Sequence, residues 1–173
     1  MEFQASLLHI EWYLRAITQP GSAPANRPVD VSRQGLMLQP GERATGLVIT
    51  VAEGAAFLSG KVISSNEGAS LPTQLRVYLV PAESASADDA LRYVETEVES
   101  NGRFTMRHLA PGRYWLLARL APDAESQEAR PRPAAWSAES RAKVLREARA
   151  AKVEVELQAC QRVMDYVLRY EPR

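Results

Sequence analysis

A nucleophilic or hydrolytic centre in this 173-residue chain would have to be assembled from His9, His108, Cys160 and scattered serines. None of these sits in a G-x-S-x-G elbow, an H-E-x-x-H helix or a glycine-rich phosphate loop, the settings in which such groups become activated. His108 ends an apolar run just before Pro111, the usual place of a structural histidine, and His9 on its amphipathic run reads the same way. Cys160 falls in a turn with only Arg162 near in sequence to stabilise a thiolate, so a passive thiol is expected. The adjacent carboxylates Asp88 and Asp89 lack the spaced oxygens of a calcium loop and read as solvated surface. One cysteine and two dispersed histidines cannot build a zinc site or an internal disulfide. The expectation is therefore no catalytic residue, no metal and no cofactor.

The groups that remain are structural, and composition agrees. Apolar residues make up 46% and charged residues 24%, the balance of a soluble globular chain of one domain or two small ones. Lys plus Arg equals Asp plus Glu, leaving no positive excess for a phosphate backbone or an anionic membrane surface, so nucleic acid is excluded as an expected partner. The apolar stretch from Ser6 to Ile17 is broken by His9, Glu11 and Arg15. It is neither a signal-peptide core nor long enough to cross a bilayer.

Short runs of Val, Ile, Leu, Tyr and Thr, separated by Pro, Gly, Asn and Ser every eight to twelve residues or so, predict strands. They are Leu8–Ile17, Leu36–Leu38, Ala44–Val51, Phe57–Ser64, Leu75–Val80, Tyr93–Glu99, Arg103–His108, Tyr114–Leu120, Lys152–Leu157 and Val163–Tyr170. Around Asn101-Gly102 a three-residue loop separates apolar from charged side chains, pairing Val98 with Phe104, Thr96 with Met106 and Val94 with His108 on one face. Glu99 then meets Arg103, and Glu95 meets Arg107, on the other. This predicts a type I turn with a G1 bulge and Gly102 in the left-handed region. Ser137–Ala151 breaks the rhythm: it lacks Gly and Pro and predicts a helix with Ser137 as N-cap and Glu139 in the first turn. Its stripe of Val144, Leu145 and Ala148 is expected to cover the Trp115 and Leu117 side of the preceding strand.

An internal repeat is also present. Leu38-Gln39-Pro40-Gly41-Glu42-Arg43 with Leu47-Val48-Ile49 recurs at one constant offset as Leu157-Gln158-Ala159-Cys160-Gln161-Arg162 with Tyr166-Val167-Leu168. Upstream, Trp12–Ala16 resembles Tyr114–Ala118 at a shorter offset, the difference matching one extra helix in the second copy. The chain then divides into the last three strands of one module, residues 1–54, and a complete module, residues 55–173. Either the protein is cytoplasmic or it begins inside a longer exported chain, and the repeat favours the second.

Leu58-Ser59-Gly60-Lys61-Val62, then Leu75–Pro81, then Asn101-Gly102-Arg103-Phe104, then Leu109-Ala110-Pro111-Gly112-Arg113-Tyr114 resemble, in order and spacing, the carboxypeptidase regulatory-like domains. These belong with transthyretin-like, collagen-adhesin B-type and carbohydrate-binding-like sandwiches. The resemblance implies an all-β, Ig-like or transthyretin-like Greek-key sandwich of about seven strands with one inserted helix at 137–151. Gly60, Gly102, Phe104, Pro111, Gly112 and Tyr114 are its structural positions, with the Tyr114 hydroxyl reaching back to backbone. It implies no reaction, because such domains accompany catalytic or transport domains as spacers, folding aids or binding modules. A collagen-adhesin-type isopeptide bond would need Lys61, Glu95 or Glu97, and Asp165, which the predicted register does not bring together. A carbohydrate-binding role would use Trp136, Trp115 and Tyr13 as an aromatic platform, against which core packing is the favoured reading. The chain is thus expected to be a non-catalytic module of a larger exported bacterial protein. Its partners would be neighbouring domains or other proteins, with glycan binding or metallopeptidase support as alternatives, and no membrane insertion.

Overall fold

The structure, a computed structural model, describes residues 11–21, 27–66, 69–121 and 137–172. Their elements are β1 (Trp12–Gln19), β2 (Val29–Asp30), α1 (Val31–Gln34), β3 (Val48–Glu53), β4 (Ala56–Ser64), β5 (Leu75–Pro81), β6 (Val94–Glu97), β7 (Arg103–Leu109), β8 (Gly112–Leu120), α2 (Ala138–Ala151), β9 (Glu154–Leu157) and β10 (Arg162–Tyr170). Seven strands form a sandwich of a β10-β4-β7 sheet over a β6-β5-β8-β9 sheet, and β1 to β3 form a separate sheet ordered β2-β1-β3. The protein is all-β with one long helix, as its alternating runs imply.

Alternation explains the layers. On β7, Phe104 and Met106 are buried while Arg103, Thr105 and Arg107 are exposed, one face in and one face out, until His108 at φ 57° breaks the alternation and Leu109 turns inward. β5 and β8 bury both faces because each lies between the other sheet and α2. Between the sheets sits one core that includes Leu58, Val77, Leu79, Phe104, Tyr114, Leu116 and Leu168. A second core lies outside the four-stranded sheet, where Val144, Leu145 and Ala148 of α2 meet Tyr78, Val80, Tyr93 and Leu117. The helix starts where its cap chemistry places it: Ser137 Oγ accepts the Ser140 N–H at 3.1 Å, and Glu139 stands in the first turn.

The sandwich is closed by β10 running parallel to β4, with a register shift between Val163 and Tyr166 at Asp165, whose φ is 56°. Gly60 is what permits the approach. A Cβ there would overlap the Tyr166 carbonyl oxygen and stand 2.8 Å from its carbon and 2.9 Å from Phe104 Cε1.

The turn after β6 has the expected form, with Gly102 at φ 83°, its N–H donating to Glu99 O at 2.8 Å, and Glu99 N–H donating to Arg103 O at 2.8 Å. The hairpin predicted beyond it does not form. β6 pairs with β5 and β7 pairs with β4, so the turn carries the chain from one layer to the other. Glu95 and Glu97 consequently meet Arg76, at 2.6 and 2.8 Å, and not Arg107. The strand expected at Leu36–Leu38 is also absent. That segment lies between Gly35, which ends α1 at φ 74°, and the turn at Pro40-Gly41, and the strand beside β1 is instead β2.

The repeated segments share a backbone signature. Gln39 N–H donates to Glu42 Oε2 at 2.8 Å while Glu42 N–H donates to Gln39 O at 2.9 Å. Gln158 and Gln161 make the same two bonds, at 2.6 and 3.1 Å. Positive φ recurs in step, at Gly41 and Cys160 (84° and 61°) and at Gly46 and Asp165 (73° and 56°). The strands that follow pair differently: β10 joins β4, whereas β3 joins β1 antiparallel.

Candidate functional site

The β2-β1-β3 sheet is fastened to one end of the sandwich by polar bonds. The Arg33 guanidinium, carried by α1, donates to Ala85 O at 2.7 Å and pairs with Asp89 at 3.7 Å and Asp30 at 3.4 Å. Asp89 is buried, accepts the Leu91 N–H at 3.1 Å and also pairs with Arg92 at 3.8 Å. Its expected place in solvent is thus corrected: a short 3₁₀ turn needs its carboxylate as a cap, and two guanidinium groups offset its charge. His108 Nδ1 lies 2.9 Å from Trp12 O and donates to it, Glu11 O accepts from Ala55 N–H at 2.8 Å, and Gly54 O accepts from Cys160 N–H at 3.1 Å.

One face of this sheet is apolar and open. Paired residues of antiparallel strands share a face, so Leu14 with Val51 and Ile17 with Ile49 stand together, as do Gln19 and Val29. Ile49 is 46% exposed and Val51 and Val29 are each 38% exposed, while Leu14 and Ile17 are half-buried. Counted along the repeat, Ile49 and Val51 occupy the places of Leu168 and Tyr170, which are 1% and 8% exposed in the sandwich core. Trp12 and Leu14 likewise correspond to the buried Tyr114 and Leu116. Among the described residues, the face thus carries inner-layer side chains that are partly exposed.

A second feature is a cleft of about 630 Å³ between α2, β8 and the end of β10, lined by Ala118, Arg119, Glu147, Val153 and Tyr170 among others. It exists because β9 covers only Gly112–Trp115 of β8, leaving the strand edge beyond Leu116 free of β9. Arg119 stands on its wall, 2.6 Å from Glu147 and 5.1 Å above the Tyr78 ring.

Among the described residues, those singled out from the sequence do not converge. Trp115 packs half-buried against the α2 core with its Nε1 lacking a hydrogen-bond partner among the described residues. Tyr13 is half-buried on the other face of β1 from Leu14, on the side of Arg92 and Tyr114. Trp136 lies outside the described residues, and of the other two platform candidates Trp115 stands at the α2 core while Tyr13 stands beside Arg92 and Tyr114. Tyr114 is buried, its hydroxyl donating to Ala110 O at 2.7 Å across the Pro111-Gly112 turn and accepting from Arg92 at 3.1 Å; burial pushes its phenol up. Phe104 is 1% exposed at the core centre. Lys61 and Asp165 are exposed on the β10-β4-β7 sheet, and Glu95 belongs to the other sheet with Arg76, so the isopeptide trio is not assembled. Cys160 is exposed in its turn, and His9 lies outside the described residues. No group of three metal-ligating side chains occurs among the described residues.

Sequence reasoning missed Arg33 and Arg92, which meet at Asp89 between the two sheet systems, Arg76, which pairs with Glu95 and Glu97 of β6, and Arg119, which pairs with Glu147 of α2. The only signal was an acidic cap two positions before Leu91, which is weak without the tertiary partners. No family model, curated protein or solved structure matches the chain.

Proposed function

We propose that residues 55–173 form a non-catalytic, carboxypeptidase regulatory-like sandwich module of a larger exported bacterial protein, acting as a structural spacer or protein-interaction unit, and that residues 1–54 are the end of a preceding module in a tandem array. The observation that carries this is the placement of the cores: among the described residues, both draw on residues between Ala56 and Tyr170, and the segment before them repeats the final turn of the sandwich while exposing inner-layer side chains. A self-contained core followed and preceded by the same local turn is how stacked modules are built. The non-catalytic reading is supported by the use of the chemical groups: His108 and Asp89 are engaged in joining sheets, and Cys160 sits alone in an exposed turn. Among the described residues, no helix is long and apolar enough to cross a membrane.

Residues 55–173 produced alone should fold and melt cooperatively within a few degrees of the full chain; a chain that stays unfolded would refute the division. A glycan array run with the full protein and with Trp136→Ala is expected to show no specific binding by either. Specific binding lost in the variant would replace the structural role with carbohydrate recognition.

A further inference from the structure

The balance of charge over the whole chain conceals a separation of charge within it. Strands β4, β7 and β10 carry five cations, Lys61, Arg103, Arg107, Arg162 and Arg169, against one carboxylate, Asp165, although the chain as a whole is neutral. All five stand on the outer face of the β10-β4-β7 sheet. Alternation puts Lys61 opposite in direction to the buried Val62, Arg169 to the buried Leu168 and Tyr170, and Arg103 and Arg107 to the buried Phe104 and Met106. Arg162 is paired with Phe57, whose chain neighbours Ala56 and Leu58 are buried, and the guanidinium carbons of Arg162 and Arg107 stand 4.7 and 6.0 Å from the centre of the Phe57 ring. None of the five makes an ion pair among the described residues, whereas Glu95 and Glu97 are held by Arg76, and Glu147 by Arg119.

We propose that this face docks on the surface of an anionic phospholipid bilayer, its cations meeting lipid phosphates and its exposed aliphatic side chains entering the headgroup region. Three strands, with six residues of rise from Phe57 to Ile63 on the central one, make a platform of about 10 by 20 Å. The other sheet offers no such platform, because α2 covers its outer side. Apolar content separates a bilayer from a soluble polyanion. Val167, 59% exposed, is paired with Lys61, which is paired in turn with Arg103, so an aliphatic side chain completes a row with two cations. Met164, 62% exposed, follows Val163, which packs against the core. A phosphate or uronate polymer leaves such side chains in water, whereas the membrane interface takes them up beside its phosphates. Neutral composition does not oppose this, because a charged surface acts within about 10 Å and meets one face of the protein, not the average of all. Since β4, β7 and β10 all lie within residues 55–173, the docking is independent of what the β2-β1-β3 sheet packs against.

Sedimentation of the full chain with vesicles reads this directly. At about 50 mM salt the chain should pellet with vesicles containing about 30% phosphatidylglycerol, stay in solution with pure phosphatidylcholine, and be released at about 500 mM salt. Each Lys or Arg near such a surface contributes about five-fold to partitioning, so Lys61→Gln/Arg103→Gln/Arg169→Gln should bind about 100-fold more weakly. Lys143→Gln/Arg146→Gln/Arg149→Gln removes the same charge from α2 and should bind like the unaltered chain. Met164→Ser/Val167→Ser keeps every charge and should bind about ten-fold more weakly. All of these residues are exposed and outside both cores, so the melting transition should be unchanged throughout. A chain that ignores anionic vesicles at low salt overturns the proposal. So does binding that survives the glutamine substitutions on the sheet, or that falls equally with those on α2, which would mark net charge and not this face. Serine substitutions without effect overturn the bilayer in favour of a soluble polyanion, and a sulfated polysaccharide would then bind with the same dependence on Lys61, Arg103 and Arg169.

Discussion

Replacing Gly60 with alanine tests the closure of the sandwich at its tightest point. The added methyl overlaps the Tyr166 carbonyl oxygen across the parallel β4–β10 pair and meets Phe104 Cε1 at 2.9 Å on the same side. Neither neighbour can retreat cheaply, because Tyr166 O is backbone locked beside the shift at Asp165 and Phe104 is 1% exposed in the core. Forcing a methyl group into a packed interior costs about 1 to 3 kcal/mol. Opening the ladder enough to fit it weakens one or two backbone hydrogen bonds at about 1 kcal/mol each. The sum is about 3 kcal/mol, which for a chain of this length lowers the melting temperature by roughly 6 to 12 °C. Thermal and urea unfolding of Gly60→Ala and of the neighbouring Ser59→Ala, followed by far-ultraviolet circular dichroism, would measure it. The serine variant should lie within about 0.5 kcal/mol of the unaltered protein, as substitutions away from tight contacts do. A Gly60→Ala protein equally stable would mean that β10 does not press on β4 at this residue, and the β10-β4-β7 layer would have to be redrawn.

Two further outcomes follow from the cores. Tyr114→Phe removes the bonds to Ala110 O and Arg92 and should destabilise by about 1 to 3 kcal/mol in the same assay, since a buried carbonyl and a guanidinium each lose a partner. Burial also pushes the phenols of Tyr114 and Tyr78 above their ordinary range, for Tyr78 with Glu95 adding to the effect. The unfolded chain therefore releases these protons first, so their contribution is complete below about pH 10 and is lost as pH rises beyond it. Each tyrosine adds up to about 1.4 kcal/mol per pH unit to that decline, and Tyr114→Phe should flatten it; a slope unchanged in the variant would refute the assignment. Leu145→Ala opens the α2 core and should cost about 2 to 3 kcal/mol, the low end for leucine because the side chain is 8% exposed, with a red shift in tryptophan emission as Trp115 becomes wetter. No change in melting or emission would show that α2 does not cover the sheet.

Local physics made much of the sandwich legible. Alternation on β7 and β8, the bulge at Gly102, the Ser137 cap and the stripe on α2 are decided by residues within one turn or strand of each other, and each forms as its side chains require. The return of the Tyr114 hydroxyl to Ala110 O is likewise local. What failed at this level was pairing. Val94 to Val98 and Phe104 to His108 carry a pattern equally suited to a hairpin and to two strands in different layers, because the period of two says which side faces the core and not which neighbour supplies the hydrogen bonds.

The amino-acid order by itself thus determined the class of fold, the inward and outward faces of β8 and of most of β7, the inserted helix and the recurrence of one turn in two places. All of these follow from φ, ψ preference and burial over a few residues. Only the tertiary structure decided that β10 runs parallel to β4, that Arg33 and Arg92 converge on Asp89, and that Ile49 and Val51 face outward where their repeat counterparts are enclosed. These are contacts between distant segments. Their free energy depends on which surfaces meet, and no local spacing encodes that.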